Sequence, residues 1–189
     1  MPFAAYMQAA LYHPQLGYYA SGSQRTGWEG DFVTSAELDP AFGELWAEAF
    51  EQVWQACGAP ASFRVVEIGP GEGGFAQAVL EAATGGFADA LSYELVERSP
   101  EAEARQRDRL ETFERVSWSR SVTEVQPHPA GCVFANEVID NLPVHLVEMR
   151  DGQMLEVLVA VADDRLVLTR RPPAGPELAD FIARSGAEP

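Results

Sequence analysis

The sequence predicts an α/β fold with a mostly parallel sheet, and three observations carry that prediction. Short apolar runs typical of buried strands alternate with helical patterns between residues 63 and 135. A glycine-rich run at 69–74 follows the first of these strands and leads into a helix. Beyond Pro143 the pattern changes to an alternation of apolar and polar residues, which is typical of an antiparallel β-meander. Because 189 residues suffice for one domain and are too few for two of ordinary size, we expect a single domain over 1–189.

The N-terminal segment, 1–58, contains the first predicted helix. Asp39 is a good N-cap, and Pro40 suits the first helical position because its missing N–H costs nothing there. Gly58 and Pro60 end the helix. The predicted buried stripe has the three- and four-residue spacing of a helix and comprises Phe42, Leu45, Trp46, Ala49, Phe50, Val53, Trp54 and Cys57. We expect this helix to pack on the core.

The region 63–143 has the rhythm of parallel strands joined by helices. Strands are predicted at 63–68, 91–96, 116–119 and 131–135. The predicted helices run through Phe75, Val79 and Leu80 to a stop at Gly85-Gly86, and from Ser99-Pro100 to about Phe113. Since parallel strands need crossover connections of this kind, the order predicts an open α/β sheet.

Two further segments follow this core. The segment 144–171 alternates in polarity and is divided by turns at Asp151-Gly152 and Asp163-Asp164, which predicts the β-meander. The segment 172–189 is a proline-rich linker with a short helix around Leu178–Ala183.

Composition and charge exclude several classes of protein. The formal net charge of −16 makes DNA or RNA an unfavourable partner and suits a basic one, although acidity for solubility alone is an equal alternative. Cys57 and Cys132 lie far apart, and the histidines are scattered without ligand spacing, so neither a disulfide framework nor a metal site is predicted. Two isolated cysteines fit a reducing cytosol. Because the sequence also shows no signal peptide, no Arg-rich transit peptide and no apolar stretch long enough for a membrane span, we expect a soluble cytoplasmic protein.

The glycine run is the motif that points to chemistry. A glycine-rich turn between a strand and a helix lets the backbone approach a nucleotide closely, although an ordinary strand-to-helix turn has the same composition. Gly69, Gly71 and Gly74 also match the dinucleotide spacing, so the glycines do not separate NAD from S-adenosylmethionine. The carboxylates of Glu67 and Glu72 distinguish the two cofactors, because they would repel the pyrophosphate of NAD. Glu67 can instead accept a hydrogen bond from the ammonium group of S-adenosylmethionine.

A second acidic position lies downstream of the glycine run. Glu97 comes 24 residues after Gly73, at the end of the second predicted strand, where a carboxylate can accept both ribose hydroxyls. Glu94 competes for this role, and a surface acid after a strand is the alternative interpretation.

Polar residues also follow the fourth predicted strand. Asn136, Glu137 and Asp140 can accept hydrogen bonds from a nitrogen nucleophile, and ligands of open α/β sheets bind at the carboxyl ends of the strands. A polar loop that caps a following helix is an equal alternative by spacing alone. The segment 27–35 combines glycines with two aromatic residues and could be either a lid or a surface turn.

Several motifs in the same order resemble the MidA family of methyltransferases, which includes the mitochondrial complex I assembly factor type. The resemblance extends from the N-terminus to about residue 150. It rests on LYHP at 11–14, GDFVTS at 30–35, VVEIGPGEGG at 65–74, LVERSP at 95–100 and NEVIDNLPVH at 136–145. The family's chains continue well past this length with further strands, so a Rossmann-like methyltransferase core with an incomplete sheet is expected.

The resemblance implies a cofactor, site residues and a substrate. It implies S-adenosylmethionine as the cofactor and, for the mitochondrial members, symmetric dimethylation of arginine on a complex I subunit. It places Glu67, Gly69, Gly71 and Gly73 around the methionine end of the cofactor and Glu97 on the ribose. It also favours the lid interpretation, with Asp31 and Thr34 as cofactor-binding residues.

The preferred hypothesis is therefore an S-adenosylmethionine-dependent methyltransferase that N-methylates arginine in a protein, with a complex I subunit as a candidate partner. Asn136, Glu137 and Asp140 are its candidate catalytic residues. The alternatives are a non-catalytic assembly factor that keeps the fold and binds a client protein, and an NAD-dependent oxidoreductase, which the acidic Glu67 disfavours.

Overall fold

The computed structural model describes residues 1–19 and 39–185 of the chain. The chain divides into two compact units, one drawn from Met1–Ser21 and Asn141–Pro189 and the other from Gly22–Asp140. The expectation of one methyltransferase domain over 1–189 stays a prediction.

The described residues form six helices and seven strands. The helices are α1 (Phe3–Tyr12), α2 (Pro40–Ala56), α3 (Gly74–Ala82), α4 (Gly85–Ala90), α5 (Pro100–Arg109) and α6 (Glu177–Ser185), with a 3-10 turn at Ile139–Asn141. The strands are β1 (Phe63–Ile68), β2 (Leu91–Val96), β3 (Val116–Ser119), β4 (Gly131–Ala135), β5 (Val147–Arg150), β6 (Gln153–Ala162) and β7 (Arg165–Arg171). None of the helices within the described ranges is long and apolar enough to cross a membrane.

The Gly22–Asp140 unit is built on a parallel sheet, as the sequence predicts. Its strand order is β3-β2-β1-β4, and every neighbouring pair is parallel. Ile68 at the end of β1 pairs with Val96 of β2 on one side and with Ala135 of β4 on the other. Three neighbouring strands therefore end at the same edge of the sheet. The centre of the core is formed by apolar side chains of β1 and β2, among them the fully buried Phe63 and Val65. This packing holds the strands that end at the edge.

Helix α2 begins as predicted but buries a narrower face. The Asp39 side chain accepts a hydrogen bond from the Ala41 backbone N–H at 2.9 Å, which caps the helix. The helix buries Gly43, Ala47 and Phe50, whereas Leu45 and Val53 of the predicted stripe are 64% and 39% exposed. A Cβ added at Gly43 would lie 2.5 Å from Cβ of Ala78, so α2 and α3 approach closely along this one line. Leu45 is two residues away, about 200° around the helix, and faces outward.

Two predicted helix boundaries differ from the structure. Gly85-Gly86 does not simply stop a helix: α3 ends at Ala82, and a further short helix, α4, begins at Gly85. Helix α5 ends at Arg109 and not near Phe113, because the chain leaves the helix at the buried Leu110. The Phe113 N–H then donates to the Leu110 carbonyl in a tight turn that leads into β3.

The other unit contains the predicted antiparallel meander, in the order β5-β6-β7. Asp151 and Gly152 have φ of 51° and 74°, and Asp163 and Asp164 have φ of 50° and 57°, as two-residue hairpin turns require. The N-terminus joins this sheet, since the Met1 ammonium donates to the Val159 carbonyl at 2.8 Å. The predicted short helix near the C-terminus is α6.

Candidate cofactor site

The site lies where β1, β2 and β4 end together. Gly69 follows β1, Glu97 follows β2, and Asn136 follows β4. The Gly69 backbone N–H donates to the Val96 carbonyl at 3.2 Å, so the chain leaves β1 still joined to β2. In the order β3-β2-β1-β4, the strand connections reverse direction at β1. Open α/β sheets bind nucleotides in the crevice at such a point.

The glycine loop has a backbone that side chains would strain. Gly69, Gly71 and Gly73 have φ of 66°, 54° and 79°, a left-handed region that only glycine adopts freely. The Gly73 N–H donates to the Pro70 carbonyl at 2.9 Å, which tightens the turn before α3 begins at Gly74. The loop therefore ends at a helix N-terminus, with its unpaired N–H groups and positive dipole end.

Glu67 is a buried acid in β1, two residues before the glycine loop begins at Gly69. It is 5% exposed, and the Tyr93 hydroxyl donates to its Oε2 at 2.8 Å. Burial raises the pKa of Glu67 to about 7, and the bond from Tyr93 lowers it only in part. Burial and the neighbouring carboxylate also raise the pKa of Tyr93, which keeps its hydroxyl protonated as a donor. Among the described residues Tyr93 is the one hydrogen-bond partner of Glu67, so this carboxylate retains acceptor capacity for a cation.

Glu97 is held by the protein on both of its oxygens. The Ser99 backbone N–H donates to Oε1 at 2.8 Å, and Gln106 Nε2 donates to Oε2 at 3.2 Å. Partial burial raises the pKa of Glu97, and hydrogen bonds from the Ser99 backbone, Gln106 and the Arg98 backbone, together with the charge of Arg105, lower it in part. A carboxylate has about four acceptor sites, so these three protein donors leave acceptor capacity for the ribose.

Glu94, the competing acid, is occupied elsewhere. It is 6% exposed, it pairs with Arg64 at 3.1 Å, and the Ser119 hydroxyl donates to its Oε1 at 2.5 Å. Arg64 therefore compensates its charge, and Glu94 lies within β2, two residues before the strand ends at Val96. Glu97 instead follows the end of β2 at the edge of the sheet, and this position favours it as the ribose acid.

Glu72 is also paired, in this case with Arg105, so it is not a free negative charge beside the loop. Nε and a terminal nitrogen of Arg105 each lie 2.8 Å from a carboxylate oxygen of Glu72. This bidentate pair raises the pKa of the Arg105 guanidinium and compensates the charge of Glu72. Repulsion of a pyrophosphate consequently depends on Glu67 and not on Glu72.

The polar segment after β4 lies beside the glycine loop. A Cβ added at Gly69 would lie 2.7 Å from Cγ2 of Val138, so these two segments are in contact. Asn136 is half-buried, whereas Glu137 and Asp140 are exposed. Glu137 has a φ of 51°, an uncommon conformation for a residue with a side chain. The catalytic roles assigned to these three residues stay predictions. Asp31 and Thr34, the predicted lid residues, lie outside the described residues.

Sequence reasoning missed three side chains that support the site: Tyr93, Gln106 and Trp118. Gln106 donates to the Gly71 carbonyl at 2.7 Å as well as to Glu97, and it accepts from Trp118 Nε1 at 3.0 Å. A polar residue on the inward face of a charged helix is the only signal for Gln106 in the sequence, and it does not name the partners.

With this geometry established, comparison with known proteins identifies the family. Residues 45–189 match the model of a family described as "Putative S-adenosyl-L-methionine-dependent methyltransferase". The chain belongs to this family. The resemblance that the sequence motifs indicate and the α/β methyltransferase fold are thereby confirmed, as is S-adenosylmethionine as the cofactor of the family.

Curated relatives carry more specific names. The chain is 35% identical to a Drosophila melanogaster protein named "Protein arginine methyltransferase NDUFAF7 homolog, mitochondrial", over 86% of this chain and 42% of that protein. It is 30% and 32% identical to the proteins named NDUFAF7 from Danio rerio and Mus musculus, over 89% and 96% of this chain and 46% and 47% of those proteins. The chain thus spans less than half the length of these relatives.

Solved structures agree with the fold. A Burkholderia thailandensis protein crystallised with S-adenosyl-homocysteine has a TM-score of 0.79 and 34% identity, covering 100% of this chain and 50% of that one. A native structure from the same organism has a TM-score of 0.75 and 33% identity, covering 99% of this chain and 47% of that one.

The expected cytoplasmic location is wrong. The curated relatives in fly, fish and mouse are all named as mitochondrial proteins. The expectation relied on cysteine usage and the lack of a recognisable leader, and the reducing cytosol is not the only compartment compatible with two unpaired cysteines.

Proposed function

We propose that this protein binds S-adenosylmethionine at the β1, β2 and β4 ends and transfers its methyl group to a guanidinium nitrogen of arginine in a protein. The proposal rests mainly on the environment of Glu67. This carboxylate is buried two residues before the glycine loop, has a pKa of about 7 and accepts one hydrogen bond from the described residues. A buried acid of this kind is costly unless a ligand cation compensates it.

The residues present fit the donor group by group. Glu67 accepts from the ammonium of the methionine end. Gly69, Gly71 and Gly73 carry no side chains and turn the loop with positive φ, which lets the backbone of the loop approach that end closely. Glu97 accepts from the ribose with the acceptor capacity that Ser99, Gln106 and the Arg98 backbone leave unused. The bound cofactor supplies a methyl group on a positively charged sulfur, which is a good leaving group.

The segment after β4 supplies the groups for the nucleophile. Asn136, Glu137 and Asp140 follow a strand that ends beside Gly69, and this position supports a role in which their oxygens accept hydrogen bonds from a guanidinium. Alignment of the nucleophile and removal of one proton are the tasks left to the protein. The family resemblance implies Asp31 and Thr34 as further cofactor-binding residues.

Charge and relatives support a basic protein substrate. The net charge of −16 attracts cationic segments. The curated relatives are named protein arginine methyltransferases, which supports arginine as the acceptor. A subunit of respiratory complex I is the candidate substrate on the strength of the family resemblance.

Titration calorimetry with S-adenosylmethionine, S-adenosyl-homocysteine and NAD tests the cofactor half of the proposal. We expect saturable binding of both sulfur ligands and none of NAD. Glu97→Ala should weaken binding by about 1.5–3 kcal/mol, the range for hydrogen bonds to a charged group. Glu94→Ala, the matched control, should weaken it less. A larger loss for Glu94→Ala would assign the ribose to the other acid.

Transfer of a radiolabelled methyl group tests the catalytic half. The chain is incubated with labelled donor and complex I subunits that contain arginine, with the Drosophila melanogaster relative as a positive control. Label in arginine is the expected result. Cofactor binding without transfer to any client, while the relative is active, would favour the non-catalytic assembly factor.

A further inference from the structure

Gln106 is a polar side chain buried completely beneath the candidate site. It lies on α5 and is 0% exposed. Its amide makes three hydrogen bonds, and each joins a different part of the unit: Gly71 in the glycine loop, Glu97 after β2, and Trp118 on β3. Both N–H groups and one lone pair of the oxygen are used, so the burial is compensated.

The partners determine which way the amide points. Trp118 Nε1 is only a donor, so the atom 3.0 Å from it must be the Gln106 oxygen. The nitrogen then faces the Gly71 carbonyl at 2.7 Å and the Glu97 carboxylate at 3.2 Å, which are both acceptors. A flipped amide would replace these bonds with two contacts between oxygens, so the Trp118 N–H maintains the orientation that both acceptors need.

The stem of Gln106 also supports the loop. A Cβ added at Gly73 would lie 3.3 Å from Cγ of Gln106, which places this side chain directly against the loop. The Arg107 guanidinium stacks over the Trp118 ring at 4.2 Å from its centroid. The indole that orients the amide is therefore covered on one face.

We propose that Gln106 is a positioning residue for the cofactor, which sets the glycine loop and the Glu97 carboxylate relative to one another through a single amide oriented by Trp118. The inference rests on the proposed function, because it takes the loop and Glu97 as the two ends of one cofactor site. It adds a specific coupling between the two, because loss of the amide removes a hydrogen bond from the glycine loop and another from the Glu97 carboxylate.

Gln106→Leu tests this coupling, with S-adenosyl-homocysteine as the probe in titration calorimetry. We expect about a tenfold to hundredfold loss of affinity, since a bond to a charged group and a bond to the loop are both lost. Gln77→Leu on α3 is the matched control, because the Gln77 amide donates to Glu81 at the surface, and it should bind like the wild type.

Two readouts separate positioning from general loosening. The Gln106 bond lowers the pKa of Glu97, so in the Glu67→Gln background, where Glu67 no longer titrates, Gln106→Leu should move the acid limb of the affinity profile to higher pH. In a double-mutant cycle with Glu97→Gln, the double variant should lose less affinity than the product of the two single losses, because the residues share one interaction. The proposal would be overturned if the double variant lost affinity by the product of the two single losses and Gln106→Leu did not change the pH dependence of affinity in the Glu67→Gln background.

Trp118→Phe keeps the proposal testable if Gln106→Leu does not fold. It removes the N–H that orients the amide and keeps an aromatic ring, so a severalfold loss of affinity is expected. Wild-type affinity in this variant would refute the role of Trp118. If the wild type itself failed to bind S-adenosyl-homocysteine, the proposed function would fail. If the wild type binds and Glu97→Gln is impaired while Gln106→Leu is not, only the inference about Gln106 is wrong.

Discussion

Replacement of Glu67 by glutamine should stabilise the folded protein at pH 8 and weaken cofactor binding at the same time. Glu67 is 5% exposed and has a pKa of about 7, against 4.5 for the exposed group. The folded chain thus binds this proton more tightly than the unfolded chain does. The resulting stabilisation is complete below pH 4.5 and is lost as the pH rises through about 7.

The magnitude follows from the difference between these two values. At 1.36 kcal/mol per pKa unit, the rise from 4.5 to about 7 corresponds to about 3 kcal/mol. This is the cost of the buried charge at pH 8, which Glu67→Gln removes. The new amide can still accept from the Tyr93 hydroxyl, but its N–H groups need partners in a buried site, which costs about 1–3 kcal/mol. A net gain of about 1 kcal/mol is expected.

Binding should change in the opposite direction. The neutral amide oxygen can accept from the ammonium but cannot form an ion pair with it, so affinity for S-adenosyl-homocysteine should fall by about 1.5–3 kcal/mol. Urea unfolding at pH 8 and pH 5 measures the free energy of unfolding, and calorimetry measures binding. At pH 5, where Glu67 is protonated in the folded protein, this gain should disappear, and the cost of the buried amide should leave the variant less stable than the wild type.

Glu94→Gln is the matched control for this experiment. Glu94 is also buried, but it is paired with Arg64 at 3.1 Å, so its replacement removes a partner from Arg64 and should destabilise the fold. If Glu67→Gln were less stable than the wild type at pH 8 and bound the ligand equally well, Glu67 would be a structural acid and not the ammonium acceptor.

Three further predictions concern the same site. Affinity for S-adenosyl-homocysteine should fall about tenfold from pH 8 to pH 6, because the binding-competent, ionised fraction of Glu67 falls to about one-tenth; a flat calorimetric profile would contradict this. Gly69→Ala should destabilise the fold in urea by more than Gly152→Ala, because both have positive φ but only the first meets a neighbour, Cγ2 of Val138 at 2.7 Å; equal losses would contradict the contact. Glu137→Ala and Asp140→Ala should abolish methyl transfer in the radiolabel assay with affinity for the cofactor within about twofold; full transfer in both variants would remove them from the mechanism.

Much of the fold could be predicted from the sequence because its signals are local. The apolar runs that became β1 and β2, the cap at Asp39 and the turn at Asp151-Gly152 each depend on a few neighbouring residues. The predicted helix ends at Gly85-Gly86 and near Phe113 were wrong, because the short helix α4 and the packing of Leu110 decide where α3 and α5 end.

Part of the candidate site was also visible in the sequence. Glu67, the glycine loop and Glu97 lie at strand ends, and the alternation of strands and helices brings such ends to one edge of a sheet. The motif therefore indicates a nucleotide-like cofactor before any distance is known. The compensation of Glu72 by Arg105, 33 residues away, was not visible, since an ion pair of this separation depends on how α5 packs against the loop.

By itself, the sequence determined the order of strands along the chain, the glycine loop, and the acids Glu67 and Glu97 at the strand ends. It could do so because backbone conformation and residue type are local properties. Only the tertiary structure decided what those acids do. It buried Glu67 beside Tyr93, which raised its pKa, and it paired Glu94 with Arg64. It also placed the Gln106 amide between the loop and Glu97. The physical reason is that desolvation and hydrogen bonding depend on distances between residues that are far apart in the chain.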